Sequence, residues 1–125
     1  MLKTTKAFSG FSTDDIQKAK GFYQDTLGLK VIEAEMGILE LHTVGNNPIV
    51  IYPKPDHVPA TFTVLNFAVI DIEKMVDQLI AKGIVFEQYT GDIATDEKGI
   101  CWSSEGPNIA WFKDPAGNIL SIIEE

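Results

Sequence analysis

A chain of 125 residues with 45% hydrophobic side chains is long enough for one domain with a real core and too short for two independent ones. Its formal net charge of −8 argues against nucleic acid or anionic membrane as partners, because a phosphate backbone must be met by clustered cations. All ten basic residues are lysines, so no planar guanidinium is present to hold a carboxylate or phosphate in two-pronged fashion.

Cys101 is the single cysteine, which excludes an internal disulfide and a multi-cysteine metal site and fits a reducing compartment. The first residues, MLKTTKAFSG, lack the apolar core of a secretory signal, and no apolar run reaches membrane-spanning length. A cytoplasmic protein is expected.

In chain order, Lys6 to Ser12 alternates weakly and predicts a strand with Phe8, Gly10 and Ser12 on one face. Asp14 or Asp15 then suits a helix N-cap, and Ile16, Ala19, Tyr23 and Leu27 recur at helical spacing until Gly28. Strands are predicted over Lys30 to Glu35, Ile38 to Val44 and Ile49 to Tyr52. Residues 54–60, with Pro53, Pro55 and Pro59 in and around them, cannot be regular structure and read as a connector.

The pattern then begins again. Thr61 to Ile70 predicts a strand, Asp71 an N-cap, and Ile72, Met75, Val76, Leu79 and Ile80 form a helical stripe that stops at Gly83. Ile84 to Tyr89 predicts a further strand, and Gly91 to Gly106 is polar apart from the island Ile100, Cys101 and Trp102. Two apolar runs, Ile109 to Phe112 and Ile119 to Ile123, flank a turn of Asp114, Pro115, Ala116, Gly117 and Asn118, which is a hairpin signal. Asp15-Ile16-Gln17-Lys18 matches Asp71-Ile72-Glu73-Lys74, and Gly28-Leu29 meets Gly83-Ile84, so the halves are an internal repeat of βαβββ type. The expected organisation is one α+β domain over residues 1–125, with module 1 at about 6–53, the connector at 54–60 and module 2 at about 61–125. Helices on one face of each sheet leave the other faces to curve around a cleft, a place for a small molecule.

GFYQDTLGLKVI (Gly21 to Ile32) and FKDPAGNILSIIE (Phe112 to Glu124) resemble the vicinal oxygen chelate superfamily, which includes glyoxalase I, extradiol dioxygenases and the fosfomycin- and bleomycin-resistance proteins. The resemblance spans about Lys6 to Glu124. It implies paired βαβββ modules forming curved mixed sheets around a cleft, the glyoxalase/bleomycin resistance/dioxygenase fold, and frequent homodimers. Metal-dependent relatives carry ligands on the first strand of each module, the fourth strand and the last. Carried over, these positions fall on Phe8, on or beside Ile51 and Tyr52, on Leu65 and on Ser121, and none offers an imidazole or carboxylate. No metal or other cofactor is expected.

Other residues keep an enzymatic alternative open. Glu40 and His42, two apart on a strand, face the same way and suit a weak metal pair or a general base with its orienter, and His57 in the connector is a third candidate. Phe8, Tyr52, Phe67, Trp102 and Trp111, with Ser121, would line a cleft suited to a planar ligand. Cys101 has no close cation to activate it, with Lys98 three residues away. The carboxylates Asp92, Asp96, Glu97 and Glu105 form an acidic loop. The sequence thus favours a metal-independent binder of a small apolar or aromatic molecule, for which the resemblance implies a homodimer. The alternatives are a glyoxalase-like lyase, isomerase or dioxygenase with a non-standard metal site, and a dimeric interaction module without chemistry.

Overall fold

The computed structural model describes residues 1–125, which divide into two compact units, Met1–Pro59 and Ala60–Glu125. Unit 1 contains β1 (Gly10–Thr13), α1 (Ile16–Gly21), β2 (Lys30–Glu33), β3 (Leu39–His42) and β4 (Ile49–Pro53), with sheet order β1-β4-β3-β2. Unit 2 contains β5 (Thr63–Val69), α2 (Ile72–Ala81), β6 (Ile100–Cys101), β7 (Asn108–Lys113) and β8 (Ile119–Glu124), with order β5-β8-β7-β6. In each sheet the first strand runs parallel to the last and the remaining pairs are antiparallel. The predicted α+β class and the repeated βαβββ topology are both present.

The shared Asp-Ile-x-Lys motif has a physical cause. Asp15 accepts the Lys18 amide at 3.1 Å and Asp71 accepts the Lys74 amide at 3.2 Å, so each aspartate caps a free N–H of its helix. After Gly21 the first helix widens into a π-helical turn, Phe22–Thr26, closed by Leu27 N–H donating to the Phe22 carbonyl at 2.9 Å. Gly28, at φ 75°, then ends it in the left-handed conformation that glycine adopts without steric cost.

Alternation along the strands sets the cores. In unit 1, Phe11, Leu39, Leu41, Ile49 and Ile51 are buried together with Ala19 and Tyr23 of the helical segment. In unit 2, Ile100, Ala110, Phe112, Leu120 and Ile122 are buried with Ile72, Val76 and Leu79 of α2. Burying a side chain of this size contributes about 2 kcal/mol, which is why the pattern dictates the register.

Two predicted strands require correction. The first begins at Gly10, not Lys6, because β4 supplies ladder partners only for residues 10–13. Phe8 therefore lies outside it, 68% exposed. Ile84 to Tyr89 is not a regular strand, although Ile84 and Phe86 are buried. Its Glu87 amide donates to the Trp111 carbonyl at 2.8 Å, while Ile100 and Cys101 pair with Ala110 and Ile109. The outer edge of β7 is thus divided between two short segments, so neither forms a long strand. Gly99 lets them pack closely: at φ 92°, a Cβ there would lie 2.5 Å from Phe86 Cβ.

Candidate functional site

The closing hairpin is built as its turn residues dictate. Asp114 Oδ1 accepts the Ala116 and Asn118 amides at 3.0 and 2.9 Å, and Oδ2 accepts the Asn118 side-chain amide at 3.0 Å. Asp114 and Asn118 are buried, so the turn is a fixed polar knot that holds β7 and β8 in register. Glu124, at the end of β8, accepts Ile72 N–H at 2.8 Å and thereby locates the α2 face of the sheet. Leu120 and Ile122 share that face by alternation, and Ser121 lies on the far face.

Register then assigns the far face of unit 2. Asn66, Ser121 and Trp111 form one row across three adjacent strands, β5, β8 and β7. Ser121 is fully buried, and its hydroxyl donates to Asn66 Oδ1. The Trp111 ring meets Tyr89 edge-on, with centroids 5.3 Å apart. Burial, reinforced by the Glu87 carboxylate and opposed by Lys113, pushes the Tyr89 phenol up, so it stays a neutral hydroxyl.

The same logic in unit 1 places Ser12, Tyr52, Val50, Glu40 and His42 on the face away from α1. Glu40 Oε1 and His42 Nε2 are 3.2 Å apart, so the predicted pair does meet. His57 is not a free surface group: its Nδ1 lies 2.6 Å from Ser12 Oγ. The strand β4 separates the two histidine pairs. Three other candidates fall elsewhere. Phe67 and Leu65 are register partners of Ile122 and Leu120, which puts both on the α2 side of the sheet, and Phe8 precedes β1.

Trp102 stands just beyond β6, half exposed, and its indole N–H donates to Asp96 Oδ2 at 2.8 Å. Asp96 Oδ1 accepts the Lys98 and Ile100 amides, each at 2.9 Å. Burial raises the Asp96 carboxyl, but hydrogen bonds from the Ile100 amide, the Trp102 indole and the Lys98 and Gly99 amides outweigh it and hold the group below the ordinary aspartate value. In the sequence Asp96 is one member of an acidic loop, and its spacing from Trp102 alone carries no signal of this contact. A groove of about 540 Å³ lies elsewhere in unit 2, where Val69 and Ile70 meet Lys74 and Met75, and it contains none of the candidate residues.

The far-face positions also test the metal chemistry that the resemblance implies. Matching Asp15 with Asp71 equates Gly10 with Asn66, and their register partners are Val50 and Ser121. The far-face ladder positions therefore include Gly10 and Asn66, with Val50, Tyr52 and Ser121 as their neighbours on β4 and β8, while Leu65 faces α2 and Phe8 precedes β1. Glycine and valine side chains carry no donor, and neutral amide and hydroxyl oxygens are poor ligands for a divalent transition metal. No group of three or more His, Cys, Asp or Glu side chains converges anywhere in the chain. These residues do not fit the metal of metal-dependent relatives.

Solved structures of similar fold span several activities. An antibiotic-binding protein, TnmS3 from a Streptomyces species, is 19% identical with TM-score 0.72, covering 99% of this chain and 98% of that one. The fosfomycin resistance protein FosX of Listeria monocytogenes is 12% identical with TM-score 0.74, covering 99% and 95%. A lactoylglutathione lyase of Agrobacterium tumefaciens is 18% identical with TM-score 0.69, covering 99% and 96%. At these identities the likeness is one of fold. No curated protein matches the sequence. Residues 8–122 match the profile of the Glyoxalase/Bleomycin resistance protein/Dioxygenase superfamily. With both βαβββ modules present and the profile spanning them, the chain belongs to that superfamily.

Proposed function

We propose that this chain is a small-molecule-binding protein that holds a planar, largely apolar ligand on the far face of the unit 2 sheet without a metal. The observation that carries the reading is the row Asn66, Ser121, Trp111, which offers a ring face and an exposed amide where a metal site would need imidazole and carboxylate. An antibiotic-binding protein and a fosfomycin resistance protein among the structural neighbours support a binding or resistance role. A homodimer in a cytoplasmic setting completes the proposal. The test uses a Trp102→Phe variant, in which Trp111 is the sole tryptophan, titrated with the probe 2-naphthamide. Quenching that survives a chelator supports the reading; quenching abolished by chelation overturns metal independence, and no quenching overturns binding. Native mass spectrometry of the same sample reads the dimer.

The 3.2 Å contact between Glu40 and His42 favours a second reading, a lyase or isomerase using this pair with a non-standard metal. Zinc binding in the wild type that disappears in His42→Ala supports it. A wild type that takes up no zinc removes it.

A further inference from the structure

The polar part of the row Asn66, Ser121, Trp111 is asymmetric. Ser121 is enclosed and cannot reach a ligand freely, whereas Asn66 is exposed. The serine hydroxyl donates to Asn66 Oδ1, which fixes which end of the amide is occupied. An asparagine side chain has one acceptor oxygen and two N–H donors, so with the oxygen turned to the serine the donors face outward. Without that bond the amide could turn over and present either end. Ser121 is thus a positioning residue and Asn66 a donor held ready for an acceptor.

Charge narrows the acceptor. Among the far-face residues of the unit 2 strands the one cation is Lys113, by alternation with Ile109 and Trp111, and its Nζ lies 3.3 Å from Glu87 Oε1. The neighbours in the two pairing strands, Ala68, Ile119 and Ile123, are neutral and apolar. An anionic group brought beside Asn66 would lose hydration with no unpaired cation to replace it. A neutral carbonyl loses less and still accepts the N–H.

Spacing narrows the body. Asn66 and Trp111 are separated by one intervening strand, so their backbones lie about 9–10 Å apart at the usual strand spacing. Two fused rings match that spacing more closely than a single ring does. We infer that Asn66, oriented by Ser121, selects for a fused-ring planar ligand bearing a neutral carbonyl at its edge, in preference to the corresponding anion or hydrocarbon. This deepens, and rests on, the proposed binding role of the same row.

The experiment compares 2-naphthamide, 2-naphthoate and 2-methylnaphthalene by fluorescence titration of the Trp102→Phe protein, with Asn66→Leu and Ser121→Ala made in that background. The expected order of affinity is amide above hydrocarbon above anion. Asn66→Leu should weaken the amide about tenfold and leave the hydrocarbon unchanged, the loss anticipated for one hydrogen bond in a desolvated site. Ser121→Ala should lower the amide-to-hydrocarbon ratio by a smaller factor, a readout that a purely structural defect would not move, since it would weaken both probes alike. Equal ratios in the wild type and Asn66→Leu overturn the inference while leaving the binding face intact. Failure of all three probes to bind overturns the binding role itself.

Discussion

Asp96 shows how much one carboxylate can organise. It gathers two backbone amides and the Trp102 indole, so its charged form stabilises the segment leading into β6. Its folded-state pKa is depressed, so the stabilisation is complete above the ordinary aspartate value and is lost as pH falls through the lower folded value. Trp102 fluorescence, read in a Trp111→Phe variant, should stay flat through the ordinary aspartate range and change only below it. Asp96→Asn would set an NH2 group against the indole N–H; the expected outcome is a spectrum at neutral pH resembling the acid form, with no acid transition. Gly99 is the neighbouring constraint. A Cβ there would sit 2.5 Å from Phe86 Cβ and 3.2 Å from the Glu87 carbonyl oxygen, on a backbone at φ 92°. Gly99→Ala should destabilise by about 2 kcal/mol or more, seen as a lower midpoint in urea at an unchanged slope. Met36 runs the other way: it holds φ 62° in an exposed turn beside Gly37 at φ 71°. Met36→Gly should stabilise by about 0.5–1 kcal/mol through relief of that strain, seen as a higher midpoint. None of these three roles was legible in the sequence, because each depends on a contact or dihedral that spacing does not encode.

Elements were legible where a local signal agreed with a pairing partner. The hairpin turn, the Asp71 cap and the α2 stripe each carry their own chemistry in a few consecutive residues, and all three are as expected. Residues 84–89 alternate as a strand should, yet Glu87 makes the one ladder bond to β7, because Ile100 and Cys101 occupy the rest of that edge. Pairing is settled by competition between segments distant in sequence, which periodicity cannot see. The position of Leu65 has the same origin: a shift of one residue reverses a strand's face, and the register that puts Asn66 rather than Leu65 beside Ser121 appears only once β5 is paired with β8. The α2 N-terminus also has a second support that no motif announces. Glu124 accepts Ile72 N–H through one oxygen and Asn108 Nδ2, at 2.9 Å, through the other. Asp71→Ala should cost about 1 kcal/mol as a lost cap. Glu124→Ala should cost about 1–2 kcal/mol because it leaves two donors unmatched. The double variant should lose roughly the sum if the caps act on separate amides, which a urea-denaturation cycle measures. A loss well short of the sum would mean that either cap alone holds the helix end.

At the scale of the whole molecule, the repeat was the most readable feature, since two Asp-Ile-x-Lys starts one module apart cap two helices over two sheets of identical strand order. The charge was equally plain: eighteen acidic side chains against ten lysines, a balance of −8. Its consequence for binding depends on the range of the field. At 0.01 M salt the Debye length is about 30 Å, well beyond the ~10 Å radius of gyration expected for a unit of this size, so charges throughout a unit act on an approaching ligand. At 0.15 M it is about 8 Å, and only nearby groups count. The nearest ones at the row are Lys113 and Glu87, which neutralise each other. An anionic probe should therefore be repelled at low salt and regain affinity as salt rises, a reversal of the usual screening of an anion by a basic site. For 2-naphthoate the expected result is several-fold tighter binding at 0.15 M than at 0.01 M, with 2-naphthamide changing little. Weaker naphthoate binding at the higher salt would mean that Lys113 leaves Glu87 to meet the ligand, and the preference for a neutral carbonyl would then have to yield to one for a carboxylate.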